Sequence, residues 1–161
     1  MKVFGIAGWS GSGKTTLIEK LIPLFVKEGI RVATIKHAHH NFDIDQPGKD
    51  SFRHRAAGAS EVMVVSSQRW VLMHELSNEP EPDLQACLGR VSPCDLVLVE
   101  GFKKDAIPKL EVYRACNGKP PLYPEDANVI AVASDDGIAT GLPQFGLNQI
   151  QEIAQFIGEY Q

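Results

Sequence analysis

The sequence predicts an α/β protein: a three-layer sandwich on a mostly parallel central sheet, with a β-hairpin added. Three observations carry that reading. Stretches with apolar residues three and four apart, as on one helix face, alternate along the chain with short apolar runs of strand length. Two of those runs, within residues 95–100 and 129–133, are aliphatic without interruption, as strands covered on both faces of a parallel sheet are. Residues 61–66 and 69–75 are β-prone and separated only by Ser67-Gln68, the spacing of a hairpin.

In chain order, residues 2–7 form a first buried strand. Residues 8–15, Gly8-Trp9-Ser10-Gly11-Ser12-Gly13-Lys14-Thr15, then fit G-x-x-x-x-G-K-[ST]. A helix over residues 14–28 follows, with Leu17, Ile18, Leu21, Ile22, Leu24 and Phe25 on one face. Strand, glycine loop, Lys-Thr and helix together make this a P-loop that binds the phosphates of a nucleotide. Its backbone N–H groups must converge on the anion, which requires the angles and close approach that Gly8, Gly11 and Gly13 allow. Ser12 belongs to the same cradle. Lys14 is expected on the β- and γ-phosphates, Thr15 on a Mg²⁺ ion, and the helix dipole behind them. Gly29 suits a left-handed helix cap, and Pro23 predicts a kink or a helix that tightens near its end.

A second strand over residues 31–36 leads into a polar loop, 37–48. A short helix (49–57), the hairpin, a breaker at 78–82 and a helix from Pro82 to residue 90 follow. Strands at 95–100, 109–114 and 129–133 and a closing helix at 146–160 complete the alternation. Ligands of such sheets sit at the strands' carboxyl ends, where the P-loop, the 37–48 loop, Glu100 and Asp135 all fall.

The 161 residues predict one domain, so any reaction takes place at the P-loop or on a partner. A formal net charge of −4, with charged residues spread along the chain, gives no basic surface for nucleic acid. No apolar run approaches the roughly 18 residues of a membrane span, and a strand and glycine loop stand where a signal peptide needs continuous apolar sequence. The expected location is cytoplasmic. The three cysteines, Cys87, Cys94 and Cys116, lack C-x-x-C spacing and read as reduced and structural.

Glu100 ends a hydrophobic strand where many P-loop proteins carry the acid that holds Mg²⁺ or orients the attacking water. Glu reaches one methylene further than the commoner Asp, which favours a water-mediated role. Lys36 and His37, with Lys49, Arg53 and Arg55, suit the phosphate region or a second anionic substrate, and Asp43 and Asp45 could ligate Mg²⁺. His37, His39 and His40 could instead form a transition-metal site. A carboxylate accepts the paired N1–H and N2 donors of guanine, which makes Asp135 a candidate base reader. The usual Asn/Thr-Lys-x-Asp guanine motif is absent, and residues 134–137 equally suit a plain turn.

Three segments together resemble one family: Gly-Trp-Ser-Gly-Ser-Gly-Lys-Thr-Thr at residues 8–16, Lys36-His37-x-His39-His40 running through Asp43, Asp45 and Pro47-Gly48-Lys49-Asp50-Ser51, and Leu98-Val99-Glu100-Gly101-Phe102-Lys103. The resemblance is to molybdopterin-guanine dinucleotide biosynthesis protein B (MobB), covers nearly the whole chain, and rests more on the His-rich segment than on the P-loop. It implies a homodimeric, cytoplasmic GTP-binding protein with at most weak GTPase activity. Such a protein acts beside the guanylyltransferase (MobA) that joins GMP to molybdopterin, and whether molybdopterin touches the His-rich loop stays open. By the resemblance Gly11, Gly13, Lys14, Thr15 and Thr16 are nucleotide contacts, and Glu100 is the acid on the Mg²⁺ side. Two alternatives stand beside it. A small-molecule kinase would grip an anionic acceptor with Asp50, Arg53 and Arg55, although no Arg-rich lid is apparent. A metal carrier would use the His-rich loop.

Overall fold

A computed structural model of the chain describes residues 1–38 and 42–160. His39, His40 and Asn41, and with them most of the proposed histidine cluster, lie outside the described residues. The described residues group into two compact units, 1–37 with 86–161, and 38–85.

The larger unit holds a six-stranded sheet. Its strands are β1 (Lys2–Ala7), β2 (Val32–Lys36), β5 (Leu96–Glu100), β6 (Lys109–Tyr113), β7 (Val129–Ser134) and β8 (Gln144–Gly146), in the order β2-β5-β1-β6-β7-β8. Every neighbouring pair is parallel. The central strand β1 is therefore flanked by β5 on one side and β6 on the other, and the strand order reverses around it, as at a topological switch point.

Two helices, α1 (Lys14–Lys27) and α4 (Ile150–Glu159), share one apolar cluster with the sheet: Leu21 and Phe25 from α1, Ile153 and Ile157 from α4, and Phe4, Ile6, Leu98 and Leu110 from the strands, all essentially inaccessible. Burial of each such side chain is worth about 1.5–3 kcal/mol. Lys2 pins α4 by donating to the carbonyls of Ile157 and Gly158 at 3.1 and 2.7 Å, where a cation meets the negative end of the helix.

Pro23 sits inside α1, and the helix does tighten at its end. Glu28 and Gly29 donate three residues back, to Phe25 and Val26, and Ile30 closes the turn onto Phe25 O at 3.0 Å, with Gly29 left-handed at φ 78°. The closing helix begins four residues later than its periodicity predicts. Gly146 ends β8, and its N–H is taken by the Gln149 side chain at 2.6 Å, so Gly146 and Leu147 lie outside the helix. Strand β8 was not foreseen from the sequence. The helix expected from Pro82 is α3 (Leu84–Arg90).

The smaller unit contains α2 (Asp50–Ala56) and an antiparallel hairpin, β3 (Glu61–Val65) with β4 (Trp70–His74), turning through Ser67-Gln68 as expected. Met63, Val65 and Trp70 on this hairpin are more than half exposed. Arg55 is surrounded by three carboxylates, Asp43 at 2.7 Å, Asp45 at 3.2 Å and Glu75 at 2.8 Å. The reading of Arg55 as a cation for phosphate or an anionic acceptor is thereby corrected, because its donors already serve acids.

His74 bridges Glu61 at 2.8 Å and Glu79 at 3.1 Å, and these hydrogen bonds, Glu61 first, raise its pKa above the ordinary 6.5. A raised imidazole pKa contributes stability that is complete below the unfolded value and lost as pH rises through the folded one. We expect the His74 imidazole, followed by NMR, to titrate above 6.5 in the native chain and to fall back toward it in Glu61→Gln. An unchanged midpoint in that variant would remove the ion pair.

Candidate functional site

The loop between β1 and α1 has the conformation its glycines permit. Gly8, Gly11 and Gly13 have φ of 137°, 79° and 101°, where a side chain is strained. A Cβ on Gly8 would collide with the Val112 carbonyl oxygen and stand 2.8 Å from Ser12 Oγ, so no other residue fits there. Lys14 folds back over its own loop, donating to Trp9 O at 2.8 Å. Burial pushes its ammonium below the ordinary pKa, Glu100 pulls it back up, and Lys103 and Lys36 add to the lowering.

One side of β1 is acidic at its centre. The Thr15 hydroxyl donates to Glu100 at 3.2 Å to one oxygen and 3.3 Å to the other, and Lys36 Nζ lies 3.5 Å from the same carboxylate. Parallel register makes this meeting inevitable, since Lys36 pairs with Glu100 across β2 and β5. The following turn is tightly constrained. Gly101 has φ 100°, a Cβ there would come within 2.6 Å of His37 Cβ, and the His37 ring packs on Phe102 at 4.8 Å between centroids. His37 thus supports the turn that carries Glu100, and its backbone N–H donates to Glu100 O at 2.8 Å.

The other side of β1 holds a residue missed in the sequence. Arg114, one position past β6, donates from Nε to Ser12 O at 3.0 Å and from Nη1 to Asp135 at 3.4 Å. Its guanidinium comes within 3.6 Å of where a Cβ on Gly13 would be. The signal was available, because the rule that singled out Glu100 and Asp135 at strand ends applies equally to Arg114. Asp135 is thus at the edge of the site, engaged by Arg114.

The segment after β6 also crosses the P-loop. The Trp9 indole N–H donates to Pro120 O at 2.7 Å, and Lys103 Nζ lies 4.3 Å from the Trp9 ring centre, a cation-π distance. Buried Glu111 anchors this segment by accepting the N–H groups of Leu122 and Tyr123 at 2.8 and 2.9 Å, while burial raises its pKa. Beside it, buried Lys109 reaches Asp126 at 2.8 Å and Asp105 O at 2.6 Å. Gly5 leaves room for its stem, since a Cβ there would meet Lys109 Cγ at 2.8 Å.

The P-loop residues, Thr16 at the start of α1, Lys36, His37, Glu100 and Asp135 all belong to the larger unit. Asp43, also expected as a Mg²⁺ ligand, belongs to the smaller one and is bound to Arg55. Among the described residues no group of three or more His, Cys, Asp or Glu side chains is arranged to hold a metal. Hard oxygen donors do meet at Thr15 and Glu100, the donor type that suits Mg²⁺ beside phosphate. Ser12 Oγ is the one fully buried side-chain oxygen or nitrogen without a hydrogen-bond partner among the described residues, a donor placed inside the phosphate loop.

Comparison with known proteins agrees with this architecture. A family model described as "Molybdopterin guanine dinucleotide synthesis protein B" matches residues 3–135. The chain is 45% identical over 161 residues to the molybdopterin-guanine dinucleotide biosynthesis adapter protein of Escherichia coli K12, covering 98% of this chain and 92% of that one. It is 44% identical over 156 residues to the adapter protein of the same name from Haemophilus influenzae, covering 96% and 86%. A crystal structure of molybdopterin-guanine biosynthesis protein B superposes with a TM-score of 0.77 at 30% identity, covering 96% of this chain and 97% of that one.

Gly101→Ala tests the geometry of the acid side. The new methyl group meets both an unfavourable φ and the His37 contact, so we expect a loss of roughly 1–3 kcal/mol in stability, read by denaturant unfolding. A fully stable variant would show that the turn bearing Glu100 is not held as described.

Proposed function

Because the chain belongs to the molybdopterin guanine dinucleotide synthesis protein B family, whose curated relatives are adapter proteins, we infer that it serves the biosynthesis of that dinucleotide. From that premise we propose that it is a GTP-binding adapter with weak, Mg²⁺-dependent GTPase activity. In this reading it is a cytoplasmic homodimer that works beside the guanylyltransferase (MobA) joining GMP to molybdopterin. The observation that carries the nucleotide half is the meeting of the P-loop Thr15 hydroxyl with the Glu100 carboxylate at 3.2 Å, next to Lys14.

The residues divide the work by chemistry. Gly11, Ser12 and Gly13 present backbone N–H groups, and Thr16 adds a hydroxyl near the start of α1. Lys14 would leave Trp9 O for the β- and γ-phosphates, a move favoured because a half-buried ammonium gains more from charged phosphate oxygens than from one neutral carbonyl. Thr15 and Glu100 would hold Mg²⁺, which when bound neutralises charge developing on the phosphates. Lys36 and Glu100 neutralise one another until phosphate arrives, and His37 keeps their turn in place. Asp135 is the proposed reader of guanine N1–H and N2. Support for the dimer comes from the hairpin, whose exposed Met63, Val65 and Trp70 lie on a two-stranded sheet that has no third strand among the described residues.

Among the described residues of the larger unit no arginine is placed as a finger at the Glu100 side, so hydrolysis should be slow, on the order of 10⁻³ s⁻¹ or below as in unassisted P-loop GTPases. Calorimetry with MgGTP and MgATP tests the assignment. We expect GTP to bind more tightly, Lys14→Ala to weaken both nucleotides at least tenfold, and Glu100→Gln to remove most of the Mg²⁺ dependence. Equal or preferential binding of ATP would end the GTP reading, and turnover of many per second by the pure protein would end the adapter reading in favour of an enzyme.

A further inference from the structure

Arg114 is tied to both ends of the nucleotide site. Its Nε donates to Ser12 O at 3.0 Å, within the P-loop, and its Nη1 lies 3.4 Å from Asp135 at the end of β7. The two contacts differ in kind. The first constrains a peptide, because carbonyl and N–H of a trans peptide point in opposite directions. With Ser12 O held by Arg114, the Gly13 N–H is turned away from Arg114. The next carbonyl, Gly13 O, is already committed to the first turn of α1 through Leu17 N at 2.9 Å. Ser12 N is likewise committed, to Trp9 O at 3.2 Å. The Ser12–Gly13 peptide, flanked by glycine at positions 11 and 13, is therefore the part of the loop whose orientation depends on a side chain from elsewhere.

We propose that Arg114 is a positioning residue for the phosphate loop, and that Asp135 acts on the phosphates through it as well as on the base. A guanidinium can do this because its planar fork serves two acceptors at once in a fixed geometry. Asp135 fixes the fork, the fork fixes the Ser12 carbonyl, and the carbonyl fixes the Gly13 N–H that a phosphate oxygen needs. The consequence is a link between the two ends of the site: whatever takes the Asp135 carboxylate changes the hold on the P-loop. This inference rests on the phosphate half of the proposed function and not on the choice of GTP.

The test separates phosphate positioning from base reading by using a nucleotide that Asp135 has no paired donors to read. Binding of MgATP and MgGTP is measured by calorimetry for the wild type, Arg114→Ala, Arg114→Lys, Asp135→Asn and the Arg114→Ala/Asp135→Asn double variant, with thermal unfolding as a check on folding. Arg114→Ala should weaken both nucleotides by a similar factor of about ten. Arg114→Lys, which keeps a single donor for Ser12 O, should recover part of that loss. Asp135→Asn should weaken ATP about threefold, and the double variant should bind ATP no worse than Arg114→Ala alone, since the two residues act in series. Full-strength ATP binding by Arg114→Ala would overturn the proposal. So would an Asp135→Asn effect confined to GTP, or ATP losses that simply add in the double variant. Equal wild-type affinity for GTP and ATP would instead refute the GTP reading and leave the Arg114 factors standing.

Discussion

A carboxylate at the end of a buried parallel strand must be given partners, and the nucleotide-facing edge of this protein is organised around that requirement. Glu100 follows four aliphatic residues of β5 that are almost fully buried, and its side chain is only 13% exposed. Leaving such a charge unpaired costs several kcal/mol. The parallel register of β2 supplies Lys36, the first turn of α1 supplies the Thr15 hydroxyl, and Lys14 adds a second cation whose own pKa registers the acid. Each partner is also a group that phosphate chemistry needs. Compensation of a buried acid and preparation of the proposed Mg²⁺-phosphate site are thus one arrangement, so under that proposal substituting any of the three should disturb both stability and binding.

Close approach of backbones is the second constraint, and glycine meets it at places that charge alone would not single out. Gly8 lies against the Val112 carbonyl, Gly5 against the stem of buried Lys109, and Gly101 against His37. The three contacts bring the P-loop strand onto β6 and the Glu100 turn onto β2. Lys109 and Glu111, both buried on β6, then hold the 105–126 segment through Asp105, Asp126 and the N–H groups of Leu122 and Tyr123. That segment meets the P-loop again at Trp9. The polar groups inside this unit therefore do local structural work that an apolar core could not, because what they anchor is irregular backbone with donors to satisfy.

Much of this was legible in the sequence where a short-range pattern dictates structure. Unbroken aliphatic runs gave the central strands, glycine spacing gave the P-loop, and Ser67-Gln68 between β-prone runs gave the hairpin. What was not legible depends on contacts far apart in the chain. Strand β8 is three residues long and includes Gln144 and Gly146, too short and too polar for a period to register; it exists because β7 offers an open edge. The start of α4 was misplaced because Leu147 continues the apolar spacing into a turn that the Gln149 side chain closes instead. The docking of Pro120 on Trp9 has no sequence signal, since both partners lie in loops. Arg55 was misread for a different reason: composition shows a cation but not the three acids that fold around it.

The sheet order shows why the two sides of the P-loop have different chemistry. With β1 at the switch point, β5 and β2 bring Glu100 and Lys36 to one side, while β6 and β7 bring Arg114 and Asp135 to the other. The first side pairs an acid–hydroxyl contact with a lysine, a set suited to a hard cation and a terminal phosphate. The second pairs a guanidinium with a carboxylate, planar groups with directional donors and acceptors, suited to holding peptide geometry and reading an edge. An arginine on the second side is already committed to a backbone carbonyl, so it is poorly placed to meet charge that develops at the first. The strand order thus sets Arg114 on the side of the loop away from Glu100, and under the proposed function that separation is the physical reason to expect slow hydrolysis.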